Sequence, residues 1–348
     1  MDAKKILVTG GTGYIGSHTV VELIQQNYEV LIIDDLSNSS EEILDGIVEI
    51  TGSRPVFENL DLCDTEKLNH FFEKYPGIDA IIHFAAFKAV GESVKEPLKY
   101  YRNNLLSLIN LMEGMKKYDI PNIVFSSSCT VYGQPDHLPV DEGFPIQKAW
   151  SPYGNTKQIN EEILEDTVNA HEDLRAIALR YFNPIGAHPS GLIGELPSGV
   201  PNNLVPFITQ TALGIRAELK VFGSDYQTPD GTCVRDYIHV VDLAQAHIIA
   251  CQRLMDDKYK NRFEYFNLGT GKGTSVLEAI HSFEKVSGLK LNYKIVDRRP
   301  GDVEQIYADT QLANQELGWK AQKGLDEMMA SAWKWEQFYR QKNSAVSS

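Results

Sequence analysis

The chain has 348 residues, and its 33 Lys plus Arg against 47 Asp plus Glu leave a formal net charge of −14. Such acidity argues against a nucleic-acid partner, whose phosphates are held by clustered cations. Hydrophobic content of 43% and charged content of 23% fit a globular chain with material for one large or two smaller domains. No apolar run approaches a membrane span, so no membrane partner is expected. Met1–Ile6 leads straight into a strand pattern, which predicts no signal peptide. Cys63, Cys129, Cys233 and Cys251 lack CxxC spacing and disulfide-scaffold density. Free thiols in a reducing, cytoplasmic compartment are expected.

In chain order, apolar strand patterns occupy 5–9, 29–34, 56–61, 80–84, 122–126 and 174–182. Helical stripes fall between most of them, at 15–27 and 151–168 among others. Strands alternating with such helices predict βαβ units and a doubly wound parallel sheet. Residues 184–203 are rich in Gly and Pro and read as the exit into a smaller mixed α/β substrate domain. The expected division is 1–183, with a return segment at about 235–268, against 184–234 and 269–348. Residues 342–348 read as a frayed tail. Gly269–Thr274 has glycines without Walker A spacing and reads as a helix-entry turn. The nine histidines show no metal-ligand spacing, so no metal is expected, and His83 reads as a core histidine.

Gly10, Gly11, Gly13 and Gly16 lie between the first strand and the first helix. Glycines there let backbone turn tightly and approach a pyrophosphate, which the helix N-terminus then attracts. Asp34 ends the second strand, where a carboxylate accepts ribose hydroxyls and repels a 2′-phosphate, favouring NAD over NADP. Asp35 competes for that role, and Asp61, after the third strand, is placed to meet the adenine edge.

Tyr153 and Lys157 are four apart at the start of a helix and share one face. A nearby ammonium stabilises phenolate, so the tyrosine is expected to titrate nearer neutrality and serve as a general base for a sugar hydroxyl. Ser128, closing the fifth strand, is placed to bridge that hydroxyl to Tyr153.

TGGTGYIG, SSSCTVYG (Ser126–Gly133), SPYGNTK (Ser151–Lys157) and RYFNPIGAHPSG (Arg180–Gly191) resemble the extended short-chain dehydrogenase/reductase family. HFAAFKAVGESV (His83–Val94), PNNL (Pro201–Leu204), DGTCVRDYIHVVDLA (Asp230–Ala244) and RRPGD (Arg298–Asp302) place the likeness closest to its UDP-hexose 4-epimerases. The resemblance covers nearly the whole chain. It implies a Rossmann domain holding NAD tightly, a smaller C-terminal domain holding a UDP-hexose, and a homodimer built from helices near 97–118 and 152–170. It also implies reversible epimerisation of UDP-galactose and UDP-glucose at C4. Tyr153 takes the 4-hydroxyl proton while hydride passes to NAD⁺, and the 4-keto sugar turns over before taking it back. Ser128 and Lys157 assist Tyr153.

By the same resemblance, Gly10, Gly13, Tyr14, Ile15, Gly16, Asp34, Asn38, Ser39, Asp61, Leu62, Phe84, Ala85, Lys88, Asn103, Tyr153, Lys157 and Tyr181 meet the cofactor. Ser128, Tyr153, Asn183, Asn202, Asn203, Leu204, Phe222, Arg235, Arg299, Asp302 and Ile306 meet the UDP-sugar. Arg235 and Arg299 suit a diphosphate, which a guanidinium binds bidentately, although ion pairs with Asp236 and Asp302 are the alternative. Ile306, seven residues after Arg299, falls where the family walls the sugar pocket. Its intermediate bulk suggests that N-acetylhexosamines are poor substrates. Related dehydratases carry carboxylates just after the strand-five serine, where this chain has Cys129 and Thr130. Cys129 reads as a small apolar filler. The competing readings are another NAD-dependent nucleotide-sugar epimerase or dehydratase, and a non-enzymatic NAD(P)-binding sensor.

Overall fold

Residues alternate sides along a strand, and here both sides are apolar. Ile6, Val8, Val30, Ile32, Ala80, Ile82, Val124, Ile177 and Leu179 enter one core. Their neighbours Leu7, Leu31, Ile33, Ile81, Ile123, Phe125, Ala176 and Ala178 enter another. A sheet buried on both faces needs helices on both. The computed structural model, which describes residues 3–197, 199–299 and 302–346, has that layering.

The first half alternates β1 (Lys5–Thr9), α1 (Tyr14–Gln25), β2 (Glu29–Asp34), α2 (Ile43–Thr51), β3 (Val56–Asn59), α3 (Thr65–Lys74) and β4 (Ala80–His83). It continues through α4 (Val90–Lys95), α5 (Pro97–Lys117), β5 (Asn122–Ser128), α6 (Pro152–Ala170) and β6 (Arg175–Tyr181). Then come β7 (Asn183–Ile185), α7 (Leu204–Ala212), β8 (Leu219–Phe222), β9 (Val234–Arg235), β10 (Tyr237–His239), α8 (Val240–Met255) and β11 (Phe263–Leu268). The chain ends with β12 (Thr274–Ser275), α9 (Val276–Ser287), β13 (Tyr293–Val296), β14 (Gln305–Ile306) and α10 (Leu325–Val346).

The main sheet has seven strands in the order β11-β6-β5-β4-β1-β2-β3, all parallel. This is a Rossmann-type doubly wound sheet, and strand order reverses between β1 and β4. In such sheets a ligand crevice opens at the carboxyl ends of the strands beside that reversal. α1 packs on α8 on one face, and α5 on α6 on the other. A further core joins β8 and β13 to α7, α9 and α10 through Val221, Ile208, Ile280, Phe283 and Met329.

Two local expectations are corrected. The third strand stops at Asn59, because Asp61 turns back to accept the Cys63 amide (2.8 Å). Residues 342–346 continue α10, since no Gly or Pro interrupts that helix and Met328, Met329, Ala332 and Trp335 bury its inner side. Residues 347–348 lie outside the described residues. Among the described residues no helix is long and apolar enough to cross a membrane, and no His/Cys/Asp/Glu cluster is arranged to hold a metal.

Candidate active site

β1 delivers the chain into a turn that only glycine fits. Gly10 has φ +71°, and a Cβ there would lie 2.8 Å from the Ala85 nitrogen. A Cβ on Gly16 would stand 2.1 Å from the Gly10 carbonyl oxygen, so α1 packs directly on the loop. Gly13 caps α1 without a side chain, and Ser17 is the first helical residue to donate back, to Gly13 (2.9 Å). The first-turn N–H groups of Tyr14, Ile15 and Gly16 therefore face outward with the positive end of the helix dipole. This cradle fits a dinucleotide pyrophosphate. Phe84 and Ala85, following β4, form its opposite wall, with the Phe84 ring 4.6 Å from that of His247.

Asp34 is buried at the end of β2 and accepts from Thr12 N (3.2 Å), Leu36 N (3.0 Å) and Ser39 Oγ (2.9 Å). Asp35 is exposed and serves Ser37. The two carboxylates are thereby separated: Asp34 lies against the glycine loop, and Asp35 faces away to solvent. Asn38 is exposed in the same turn. Asp61 is exposed, Leu62 is buried with its carbonyl bound by Asn110 (2.8 Å), and Asn103 is half-buried on α5 beside Cys63. Lys88 reaches toward the cradle, 6.0 Å above the Tyr14 ring, and pairs with Glu195 at 3.8 Å. The Tyr14 hydroxyl donates to the Gly186 carbonyl (2.6 Å), tying the cradle to the turn-rich segment.

β5 ends in three serines with three sets of partners. The Ser126 carbonyl accepts Lys157 Nζ, and its hydroxyl meets the Tyr181 hydroxyl. Ser127 donates to Glu161. Ser128 caps the turn at Thr130 (3.2 Å), and its hydroxyl favours the anion of the neighbouring Tyr153 phenol. Ser151 caps α6 through the Gly154 amide (3.1 Å) with Pro152 in its first turn, which fixes where Tyr153 and Lys157 emerge. Lys157 is buried, its Nζ 4.7 Å from the Phe125 ring centroid and 5.9 Å from that of Tyr153.

The expected fall in the Tyr153 pKa is corrected. Burial pushes the phenol up to about 12, against the Ser128 hydroxyl, which favours its anion. Burial also pushes Lys157 down to about 7, with Glu161 pulling it back up. The reason is geometric: the ammonium is directed at a backbone carbonyl rather than at the phenol, so desolvation dominates both groups. His83 is buried, bonded to Thr9 (2.7 Å) and held neutral, at about 3.

Arg299 pairs with Asp302, as the ion-pair alternative had it, but Arg235 does not pair with its neighbour Asp236. Arg235 pairs with Asp302 (3.9 Å) and donates to the Val234 carbonyl (2.9 Å). Arg299 also takes Asp302 (2.6 Å), and its guanidinium lies 5.5 Å from the half-exposed Phe222 ring. One carboxylate thus holds both guanidinium groups side by side. Pro300 and Gly301 of the RRPGD stretch lie outside the described residues. Asp236 faces the other way. It accepts Thr270 N (2.8 Å), Thr270 Oγ1 (2.6 Å), Gly271 N (3.0 Å) and Ala308 N (3.2 Å). The Gly-rich turn at 269–271 therefore encloses an anion, and the anion is the chain's own.

Asn183 is half-buried in β7, and its backbone N–H donates to the Asp236 carbonyl (3.0 Å). Asn202 and Asn203 are exposed before α7, which starts at Leu204, and Asn203 donates to Glu195 (2.6 Å). Ile306 is buried with Val131, Tyr132 and Phe182, in register with Arg235. Cys129 packs against the same cluster, and burial pushes its thiol up to about 12.

Sequence reasoning missed Ser127, Glu161, Arg180 and Glu195, and it read Asp236 only as a partner for Arg235. Two signals were present. Glu161 falls one helical turn beyond Lys157, and Arg180 interrupts an otherwise apolar strand.

A family model described as GDP-mannose 4,6 dehydratase matches residues 7–332. The UDP-glucose 4-epimerase of Bacillus subtilis is 53% identical over 331 residues, covering 95% of this chain and 96% of that protein. The chain belongs to the UDP-glucose 4-epimerase family. The human UDP-glucose 4-epimerase is 51% identical over 340 residues, covering 96% of this chain and 97% of its own. A Stenotrophomonas maltophila UDP-glucose 4-epimerase crystallised with NAD and formylated UDP-arabinopyranose superposes with TM-score 0.94 at 48% identity, covering 97% of this chain and 99% of that one. The Bifidobacterium longum UDP-glucose 4-epimerase, crystallised with NAD⁺ and UDP, gives 0.92 at 45% identity over the same shares. The family model carries a dehydratase's description, while these relatives are epimerases.

Proposed function

We propose that the chain interconverts UDP-galactose and UDP-glucose at C4 with resident NAD. One observation carries this: Tyr153, Lys157 and Ser128 converge at the carboxyl ends of the strands that carry the pyrophosphate cradle. Gly10, Gly13, Tyr14, Ile15 and Gly16 hold the pyrophosphate. Asp34, with Asn38 and Ser39 beside it, takes the adenosine ribose, and Asp61 and Leu62 flank the adenine. Phe84, Ala85, Lys88, Asn103 and Tyr181 complete the cofactor site. NAD supplies the hydride acceptor and donor and a positive charge that favours phenolate. Tyr153 takes and returns the 4-hydroxyl proton. Ser128 bridges phenol and sugar, and Lys157 stabilises the anion.

Arg235 and Arg299 exchange Asp302 for the diphosphate, and Asn183, Asn202, Asn203, Leu204 and Phe222 hold the rest of UDP. The net redox change is zero, so the nucleotide is held firmly and the sugar loosely. Residues 1–183 with 235–268 form the NAD-binding unit, and 184–234 with 269–348 the UDP-sugar unit. Ile306 disfavours N-acetylhexosamines. Equal turnover of UDP-GlcNAc and UDP-glucose by the unmodified protein would remove that last point.

The chain acts as a homodimer through α5 and α6. Support comes from Leu98, Leu106 and Ile109, apolar yet exposed on α5. A monomer in sedimentation would overturn this. Four free cysteines fit a cytoplasmic location. The deciding experiment is proton NMR of UDP-galactose with purified protein and no added cofactor. Growth of UDP-glucose to a stable mixture is expected. An intact sugar even after NAD⁺ is added would refute the reading.

A further inference from the structure

Glu161 lies one turn beyond Lys157 and two beyond Tyr153 on α6, so the three share a face. Arg180 Nε binds both of its oxygens (3.0 and 3.2 Å), and Ser127 binds one of them. Arg180 also donates to the Tyr132 hydroxyl (3.0 Å), which donates to Asn267 Oδ1 (2.6 Å), and Asn267 closes on the Val140 carbonyl (2.9 Å). All of these side chains are buried. A buried ion pair adds little stability over an apolar pair of equal volume. What this one adds is a carboxylate held in place one helical turn from Lys157.

Lys157 is faced from α6 by Tyr153 and Glu161, from β4 by neutral His83, and from β5 by Ser126–Ser128. Behind β5 stand Arg180 and Tyr181 on β6, in register with Ser127 and Ser128. Among these described neighbours Glu161 is the one carboxylate. We propose that Glu161 is a positioning residue: it ties the serine end of β5 to α6 through Ser127 and fixes a carboxylate one helical turn from Lys157. The proposal rests on the reading of Tyr153 and Lys157 given above.

The test is carbon NMR of protein labelled with [ε-¹³C]lysine, as purified, with the Lys157 signal assigned by its loss in Lys157→Met. Glu161→Gln should lower the Lys157 titration midpoint by about one pH unit or more. The alkaline limb of kcat should move down with it, leaving KM little changed. Glu161→Gln/Arg180→Gln removes both charges and should lower the midpoint by less. This double variant carries the test if circular dichroism shows the single variant unfolded. A midpoint unmoved in the folded variants overturns the proposal, as does a loss of kcat equal at every pH. Full activity of Tyr153→Phe would instead sink the site reading, and the lysine titration would still report on Glu161.

Discussion

The Lys157 ammonium is aimed at the Ser126 carbonyl, while the Tyr153 ring centroid lies 5.9 Å from it on the same helix face. The chain alone therefore leaves the phenol protonated and the lysine close to losing its charge. In the proposed reaction, proton abstraction therefore depends on added positive charge at the nicotinamide side and on the Ser128 hydroxyl. Tyr153→Phe should lower kcat by about 10²- to 10⁴-fold while UDP affinity stays within about twofold. NMR turnover and titration calorimetry measure the two.

Asp34, proposed to take the ribose, holds the turn through Thr12, Leu36 and Ser39. Asp34→Asn keeps the shape and removes the charge. Discrimination against NADP should fall by about tenfold or more, with a lower melting temperature, because one of two acceptor oxygens becomes a donor. Unchanged preference in cofactor-exchange binding would contradict this.

Gly16→Ala places a methyl where the Gly10 carbonyl already sits. Overpacking of this kind costs about 1–3 kcal/mol, and here it also splays the cradle. The purified variant should melt lower and carry little NAD, seen as lost nucleotide absorbance after denaturation.

Four buried histidines weaken the fold toward acid pH. Desolvation holds His18 and His83 at about 3, and His239 and His247 at about 4, against an ordinary value of 6.5. Between those values and 6.5 the unfolded chain binds more protons than the folded one. Stability is then full above pH 6.5 and is lost as pH falls through that window. His247 bonds the Leu243 carbonyl through Nδ1 (2.8 Å), and its Nε2 has no partner. His247→Leu should flatten the acid slope of the melting curve by about one proton. An unaltered slope would show that His247 is not among the groups responsible.

Arg235 and Arg299 meet on one carboxylate, which in the proposed site a diphosphate replaces. Arg235→Lys keeps the charge and loses the fork. UDP binding should weaken by about 10- to 100-fold, with little change in NAD content. Calorimetry with UDP gives the comparison.

The sheet was readable because its central strands are buried on both sides, which leaves continuous apolar runs such as Ile6-Leu7-Val8 and Ile81-Ile82. The glycine loop was readable from its place between β1 and α1. The partners of Arg235 were not readable, because successive residues of extended backbone point opposite ways. Asp236 turns inward to the 269–271 loop, and Asp302 comes from sixty-odd residues away. The proton affinities of Tyr153 and Lys157 depend on how much water reaches them, and residue spacing does not show that. Glu161 and Arg180 lie nineteen residues apart on different elements, so only the fold joins them.

β11 lies beside β6 in the sheet, yet about eighty residues separate them along the chain. The last strand can be laid down only after that long excursion closes on itself, and such distant contacts are slow to form. The edge of the sheet should therefore be the late step in refolding. Because both ends of the excursion are pinned to neighbouring strands, a single protease cut at its surface would leave two fragments that stay clasped together.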